Sequence, residues 1–279
     1  MPIKKSTGDY QPFEREKFQD SLMKSGASER FVLSLSKQAA KMESRFKSSD
    51  QIHQFAEEKL FRQDKKAAIR YNLKKAVFEL GPTGFPFEQY VARLLDRMGY
   101  QTQTNVYVQG YCVSHEVDVL AKKGNKVHLF ECKYHTHRGR KSNVKTILYV
   151  KARFDDIDKA IKENINTNRQ APKKKIHQIW LVTNTKHTSE AEKYGKCAGV
   201  NIISWNYPAG ESLQKIIEKT GLYPITVLPN LSRHLKRKLF KFEVVTLPDL
   251  IKFSDFRKFT HHEKRQIVRI KKDAEILVK

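Results

Sequence analysis

The sequence predicts an α/β protein: a mixed sheet flanked by helices, set between a mostly helical N-terminal segment and a basic helical C-terminal one. Three features carry that reading. Residues 102–133 hold three runs of alternating apolar residues, the pattern of strands with one buried face. Residues 143–219 alternate helical periodicity with short apolar runs, as a sheet extended through crossover helices requires. Residues 1–80 and those after 223 space their apolar side chains mostly at helical intervals.

Taken in order, a short basic strand over 3–8 leads through Pro12 and Phe13 into a helix at 14–24. Helices follow at 31–42, at 52–61 with Ser48, Ser49 and Asp50 as capping residues, and at 67–80. The breaker cluster Gly81-Pro82-Thr83-Gly84 marks a domain boundary. Over 87–98, Phe87, Val91, Leu94, Leu95 and Met98 recur at helical spacing, and Gly99-Tyr100 stops the helix. Strands are expected at 102–108, 113–120 and 127–133, the last two joined by a hairpin carrying Gly124-Asn125. A long helix at 143–163 comes next, then a turn at Pro172 to Lys175 and a buried strand at 176–183. A helix at 189–197, a strand at 201–205 and a helix at 211–219 complete the core. The chain thus divides into residues 1–80, 84–222 and 223–279.

The hairpin carries the chemistry. Alternation puts Val127, Leu129, Glu131 and Lys133 on one face of the last strand, and His128, Phe130 and Cys132 on the other. Asp118 lies on the partner strand, with Glu116 on the same face. Two carboxylates and a lysine at the end of an apolar hairpin are costly to bury without partners, so a function is expected there. Carboxylates are hard oxygen ligands suited to Mg²⁺ (or Mn²⁺), and such an ion can polarise a phosphodiester and acidify a bound water. Lys133 could orient that water, accept its proton or stabilise developing phosphorane charge. The plainer alternative is a lysine–carboxylate ion pair at a strand end.

With Asp118 on one strand and Glu131-x-Lys133 on the next, residues 84–206 resemble the PD-(D/E)xK nuclease superfamily, especially its Mrr-type restriction endonuclease branch. The resemblance implies a restriction endonuclease-like core in which Asp118 and Glu131 bind metal and Lys133 is catalytic. It implies that Glu88, on the preceding helix, reaches the metal through water; a solvated first-turn carboxylate is the alternative. It further implies phosphate contacts from the helix after the meander, where Lys151 and Arg153 stand near Tyr149. Pairing of Lys151 with Asp155 is the competing expectation there. The loop from His135 to Lys141, with Arg138 and Arg140, suits contact with a phosphate backbone. One departure is His115-Glu116, which stands where many such sequences have a glycine-rich approach; it leaves open whether Glu116 joins the ligands. No paired cysteines support a structural zinc site.

The N-terminal segment resembles an ATP-cone, through a basic strand ending in Gly8, Lys17 nine residues later, Ser49-Asp50-x-Ile52, and Tyr71 in the last helix. That resemblance implies that Lys5 and Lys17 meet nucleotide phosphates, with Lys4 as an outer contact. Ser6 stands where the family often has arginine. Neither GxxxxGK[ST] nor GxGxxG occurs, so ATP or dATP is expected as an effector and not as the fuel of a P-loop motor. In the tail, residues 228–232, the basic helix after them and Thr246 to Leu250 faintly resemble half of a helix-hairpin-helix.

Among 279 residues, 54 are Lys or Arg and 30 are Asp or Glu, a net charge of +24. The excess is spread: +6 over residues 1–85, +10 over 86–225 and +8 over 226–279. That points to a polyanionic partner, DNA first and RNA second, with salt-sensitive affinity. Cys112, Cys132 and Cys197 form no disulfide pattern, and no apolar run approaches the ~18 residues of a membrane span. With no signal-peptide core at the start, a cytoplasmic protein is expected. The reading that unites these features is a Mg²⁺-dependent endodeoxyribonuclease under ATP or dATP control, working as a homodimer or nucleotide-dependent oligomer. The alternative is a nucleotide-responsive DNA-binding regulator on an inactive nuclease fold.

Overall fold

A computed structural model describes residues 3–4, 10–163, 176–229 and 231–278. Its contacts define two compact units, residues 1–76 and residues 77–274, with the last helix turn grouped with the first unit.

In the first unit β1 (Ile3–Lys4) pairs antiparallel with β2 (Tyr10–Gln11). Helices α1 (Arg15–Lys24), α2 (Glu29–Lys41) and α3 (Ser49–Gln63) follow, and α4 (Lys65–Phe78) leads out. Ser48 caps α3 by accepting the Gln51 N–H, as its position predicted. Leu22, Leu35, Ala56 and Leu60 are among the side chains of one small apolar core. A polar network lies beside it: Asn72 Nδ2 donates to Glu57 at 2.8 Å, Lys75 pairs with Glu57 at 3.2 Å, and the His53 ring stacks on Tyr71 at 4.5 Å.

The second unit begins with α5 (Phe85–Arg97), whose Pro86 sits in the first turn, where its missing N–H costs nothing. A five-stranded sheet follows in the order β3-β4-β5-β7-β9. Its first three members, β3 (Gln101–Gln109), β4 (Ser114–Lys123) and β5 (Lys126–Lys133), form the antiparallel meander. The tight β4–β5 turn works because Gly124 takes φ +57, a conformation that costs a glycine nothing. The chain then passes through β6 (Lys141–Ser142) and α6 (Val144–Lys162) to β7 (Ile176–Thr183), which pairs parallel to β5. After β8 (Lys186–His187) and α7 (Ser189–Ala198), β9 (Val200–Ile203) extends the sheet in parallel. The short strands β6 and β8, which the sequence pattern does not announce, pair with each other.

Alternation along β5 sends Val127 and Leu129 to a core shared with Ile147, Val150 and Ile157 of α6 and Ala191 of α7. Phe130 goes the other way, into an apolar layer with Leu94 and Leu95 of α5. Leu213 and Ile216, on α8 (Leu213–Thr220), close that layer. The sheet is therefore covered by helices on both faces, which explains why β5 and β7 read as near-continuous apolar runs. The C-terminal region adds α9 (Arg233–Lys241), α10 (Leu247–Lys252) and α11 (His261–Val278). A reciprocal capping box between Thr246 and Asp249 starts α10. Among the described residues no helix is long and apolar enough to cross a membrane.

The connection between β3 and β4 is docked on α6. Asp156 accepts the Cys112 N–H at 2.8 Å and meets His115 Nε2 at 2.8 Å, while its own carbonyl takes the Tyr111 N–H. A Cβ at Gly110 would lie 2.0 Å from the Asp156 carboxylate, which is why a side chain is excluded there. His115 is thus spent on this clamp and stays away from the carboxylates farther along β4.

Leu181 lies at the centre of β7 with 0% exposure. Leu181→Ala is expected to lower unfolding stability by ~2–5 kcal/mol in urea titration, the range for an unrelaxed core cavity.

Candidate active site

The β4–β5 ladder runs from Lys123↔Lys126 to Val119↔Phe130 and stops there. Two residues farther along β5 the backbone N–H of Cys132 donates to Asp118 Oδ2 at 2.7 Å. A side chain has replaced the main-chain partner, and the two strands part around it. Asp118 and Glu131 are left facing the same gap.

The parallel partner strand fixes the end of β5. Glu131 sits opposite Leu181 and Lys133 opposite Thr183. Thr183 Oγ1 donates to the Lys133 carbonyl at 2.7 Å. Asn184 accepts the His135 N–H and donates to the His135 carbonyl, each at 2.8 Å. Lys133 itself is exposed while the backbone on either side of it is held.

The electrostatics follow from the crowding. Burial, then the charge of Asp118, pushes the Glu131 carboxyl up to about 7, although Arg153 and Lys133 pull the other way. Asp118 is raised as well, chiefly by burial, against the Cys132 N–H and the charge of Arg153. Glu88 is pushed up to about 7 by burial and by Asp118, Glu116 and Glu131 together. Four carboxylates therefore act on one another in a partly dehydrated gap. The cation that answers them is Arg153, which donates to Glu131 Oε2 at 2.7 Å and also lies 5.2 Å from the Tyr149 ring centre.

Of the residues predicted for the site, Asp118, Glu131 and Lys133 come together. Glu88 joins them through charge only: its carboxylate folds back to within 2.8 Å of where a Cβ on Gly84 would stand. Among the described residues no three His, Cys, Asp or Glu side chains form a ready metal cage. Glu116 lies within hydrogen-bond reach of Tyr107, at 3.4 Å. Arg153 is at the site, held by a carboxylate and not open to a backbone phosphate. Lys151 pairs with Asp155 one turn along the helix, at 2.6 Å, which is the competing expectation. Arg138 and Arg140 are exposed on the loop after β5, Arg138 lying 5.7 Å from the Phe78 ring centre. His135 of that loop is buried against Ser142 at 2.9 Å, so it offers no phosphate contact. In the N-terminal unit Lys17 is exposed and paired with Glu14 at 2.7 Å. Lys5, Ser6, Gly8, the Lys4 side chain and the turn at Pro172 to Lys175 lie outside the described residues. The Arg153–Glu131 pair is a site contact that sequence reasoning missed, because a separation of 22 residues carries no spacing signal.

In kind the donors suit a hard divalent cation: they are oxygens, two of them on half-buried carboxylates.

A mixed five-stranded sheet with acids on its two inner meander strands is consistent with a restriction endonuclease-like core. Residues 82–209 match the restriction endonuclease family, and residues 223–278 match the AF1548-like C-terminal family. An uncharacterized protein of Archaeoglobus fulgidus is 38% identical over 138 residues, covering 50% of this chain and 71% of the relative. The chain belongs to that protein's family. A crystal structure titled as a protein of unknown function, AF1548, aligns with 30% identity and a TM-score of 0.58, over 70% of this chain and 98% of that one. The MspJI restriction endonuclease, solved with a 27-mer oligonucleotide, aligns at 15% identity with a TM-score of 0.28, over 61% of this chain and 32% of that one. At that distance nothing is carried over from it.

Proposed function

We propose that the chain is a divalent-metal-dependent endonuclease that hydrolyses DNA phosphodiester bonds. The observation that carries this is the meeting of Asp118 and Glu131 at the point where β4 and β5 part, with Lys133 on the same strand end. Asp118 and Glu131 would hold Mg²⁺ or Mn²⁺. When bound, that ion supplies Lewis acidity toward the phosphodiester and lowers the pKa of a coordinated water. Asp118 is oriented for this by the Cys132 N–H, which fixes one carboxylate oxygen and leaves the other available. Lys133, anchored through its backbone, would place its ammonium beside the attacked phosphorus, where it can orient the water and offset charge on the nonbridging oxygens. Arg153 would release Glu131 as the ion enters and turn toward a substrate phosphate, for which its planar fork is well shaped. Glu88 adds negative charge behind the pair and strengthens its hold on a cation.

A second reading has one observation in its favour. The Arg153–Glu131 pair already neutralises one of the two ligands, as it would in a domain that binds DNA without cutting it. In that case the protein is a nucleotide-responsive DNA-binding regulator. Plasmid cleavage in Mg²⁺ separates the two. Lys133→Ala is expected to lower the cleavage rate by ~10²-fold or more, the lower end of what a positioned acid–base group contributes. A rate unchanged by that substitution would remove Lys133 from the chemistry, and no cleavage of DNA or RNA by the wild type under any nucleotide condition would favour the regulator.

The first unit, on the same reading, binds ATP or dATP as an effector through Lys5 and Lys17, with Lys4 outside them, and sets the oligomeric state or access to the cleft. Support comes from the short strand pair followed by a four-helix array with Tyr71 packed in its last helix. Calorimetry should record saturable heat with one of the two nucleotides; a flat titration with both would refute effector binding.

A further inference from the structure

The C-terminal region holds a cavity of about 500 Å³ that shares no lining residue with the carboxylate site. Its wall is one face of α9. Ser232 caps that helix by accepting the Leu235 N–H at 3.2 Å, and Leu235, Leu239 and Phe240 bury the opposite face. The wall carries three cations and a histidine: His234, Arg237, Lys238 and Lys241 stand at positions i, i+3, i+4 and i+7. Lys258 and Phe242 complete the lining.

Like charges three and four residues apart destabilise a helix, so the stripe is retained against a local cost. Its own acids neutralise only part of it. Buried Glu263 takes Lys238 at 2.7 Å and His234 at 3.1 Å, and its capping bond from the Thr260 N–H fixes it in place. Asp255 is held by Arg257 at 2.9 Å. Among the described residues, Arg237 and Lys241 have no carboxylate partner, and Lys258 meets Asp255 through charge alone. Phe242 packs against Phe253 and Phe259 at 5.6 and 5.3 Å between ring centres, which makes a fixed apolar floor. Lys258 stands over Phe242 at 5.9 Å and Lys238 over Phe259 at 4.8 Å.

We propose that this cleft is a second nucleic-acid contact, which takes successive phosphates of a polynucleotide strand. The inference rests on the nuclease reading only for the identity of the polymer. Two features favour a polymer over a free phosphate. From His234 to Lys241 the stripe runs ~10 Å at 1.5 Å per residue. That length reaches beyond a single phosphate to its neighbours along a strand. The volume also exceeds what an inorganic anion would fill and lies in the range of pockets that take larger groups. The cleft would hold substrate before and after cutting, away from the scissile bond.

The test uses the full chain carrying Lys133→Ala, in EDTA, so that binding is read without cleavage. Anisotropy of a labelled 20-base-pair duplex and a 20-nucleotide strand gives affinity as a function of salt. Adding Arg237→Ala, Lys241→Ala and Lys258→Ala together should weaken binding at least tenfold at 100 mM salt. The slope of log K against log salt should fall by about 2–3, at roughly 0.7–0.9 per phosphate contact. All three side chains are exposed, and an unchanged melting curve checks the fold. Replacing exposed Lys193, Lys196 and Lys219 by alanine is the control and should leave the slope in place. Unaltered affinity and slope in the cleft variant would overturn the proposal, as would an equal loss in the control. Saturable binding of ATP or inorganic phosphate that displaces the polynucleotide and is abolished by the cleft substitutions would assign the cleft to a small ligand instead. Plasmid cleavage by the chain with Lys133 intact reports separately on the nuclease reading, so either idea can fail alone.

Discussion

The rest of the candidate site depends on one hydrogen bond, from the Cys132 N–H to the Asp118 carboxylate. An antiparallel pair normally satisfies each backbone group with another backbone group. Here the ladder ends at Val119 and Phe130 while β5 runs on to Lys133, and a carboxylate takes the Cys132 donor. The exchange orients Asp118, opens a gap between two strands that are otherwise flush, and leaves Glu131 facing into it. Because β5 is also pinned by Thr183 and Asn184 on its parallel side, the gap cannot close by letting the strand drift. The geometry is therefore rigid where the acids stand, although Lys133 remains free to move at its tip.

Rigid placement of like charges has an electrostatic consequence. Burial and mutual repulsion raise the proton affinity of Asp118, Glu131 and Glu88, and Glu131 and Glu88 both reach about 7. A nearby cation offsets this, and the protein supplies one in Arg153. The same guanidinium that quiets Glu131 is well suited to a phosphate, so a divalent ion and a phosphodiester arriving together would exchange partners with it at little net cost in charge. Activity and restraint would then share a residue. The cationic stripe on α9 applies related logic elsewhere in the chain: Glu263 fixes two of its members and leaves the others uncompensated.

Much of the architecture was legible because it follows from periodicity. Alternation located β3, β4, β5 and β7 within a few residues, and the Gly124-Asn125 turn set the register that brings Asp118 opposite Glu131. Helical spacing placed α5 and α6. What escaped has a common physical character, since it depends on contacts distant in sequence. Asp156 clamps the β3–β4 connection from 41 positions beyond His115, Arg153 reaches Glu131 across 22, and β6 pairs with β8 through two residues each. Lys151 and Asp155, four apart on one helix, were readable as a pair; the inward turn of His135 was not, because its partners Ser142 and Asn184 carry no motif. The α9 stripe was visible as a basic helix, but only the packing of Phe242 and Lys258 gives it a concave shape.

A crystal soaked in Mn²⁺ and measured at a wavelength where manganese scatters anomalously shows whether the two acids share an ion. The expected map has a peak bridging Asp118 and Glu131, with Arg153 withdrawn from Glu131. A map without density there, and with the Arg153–Glu131 pair intact at saturating metal, would contradict the assignment of these carboxylates as metal ligands.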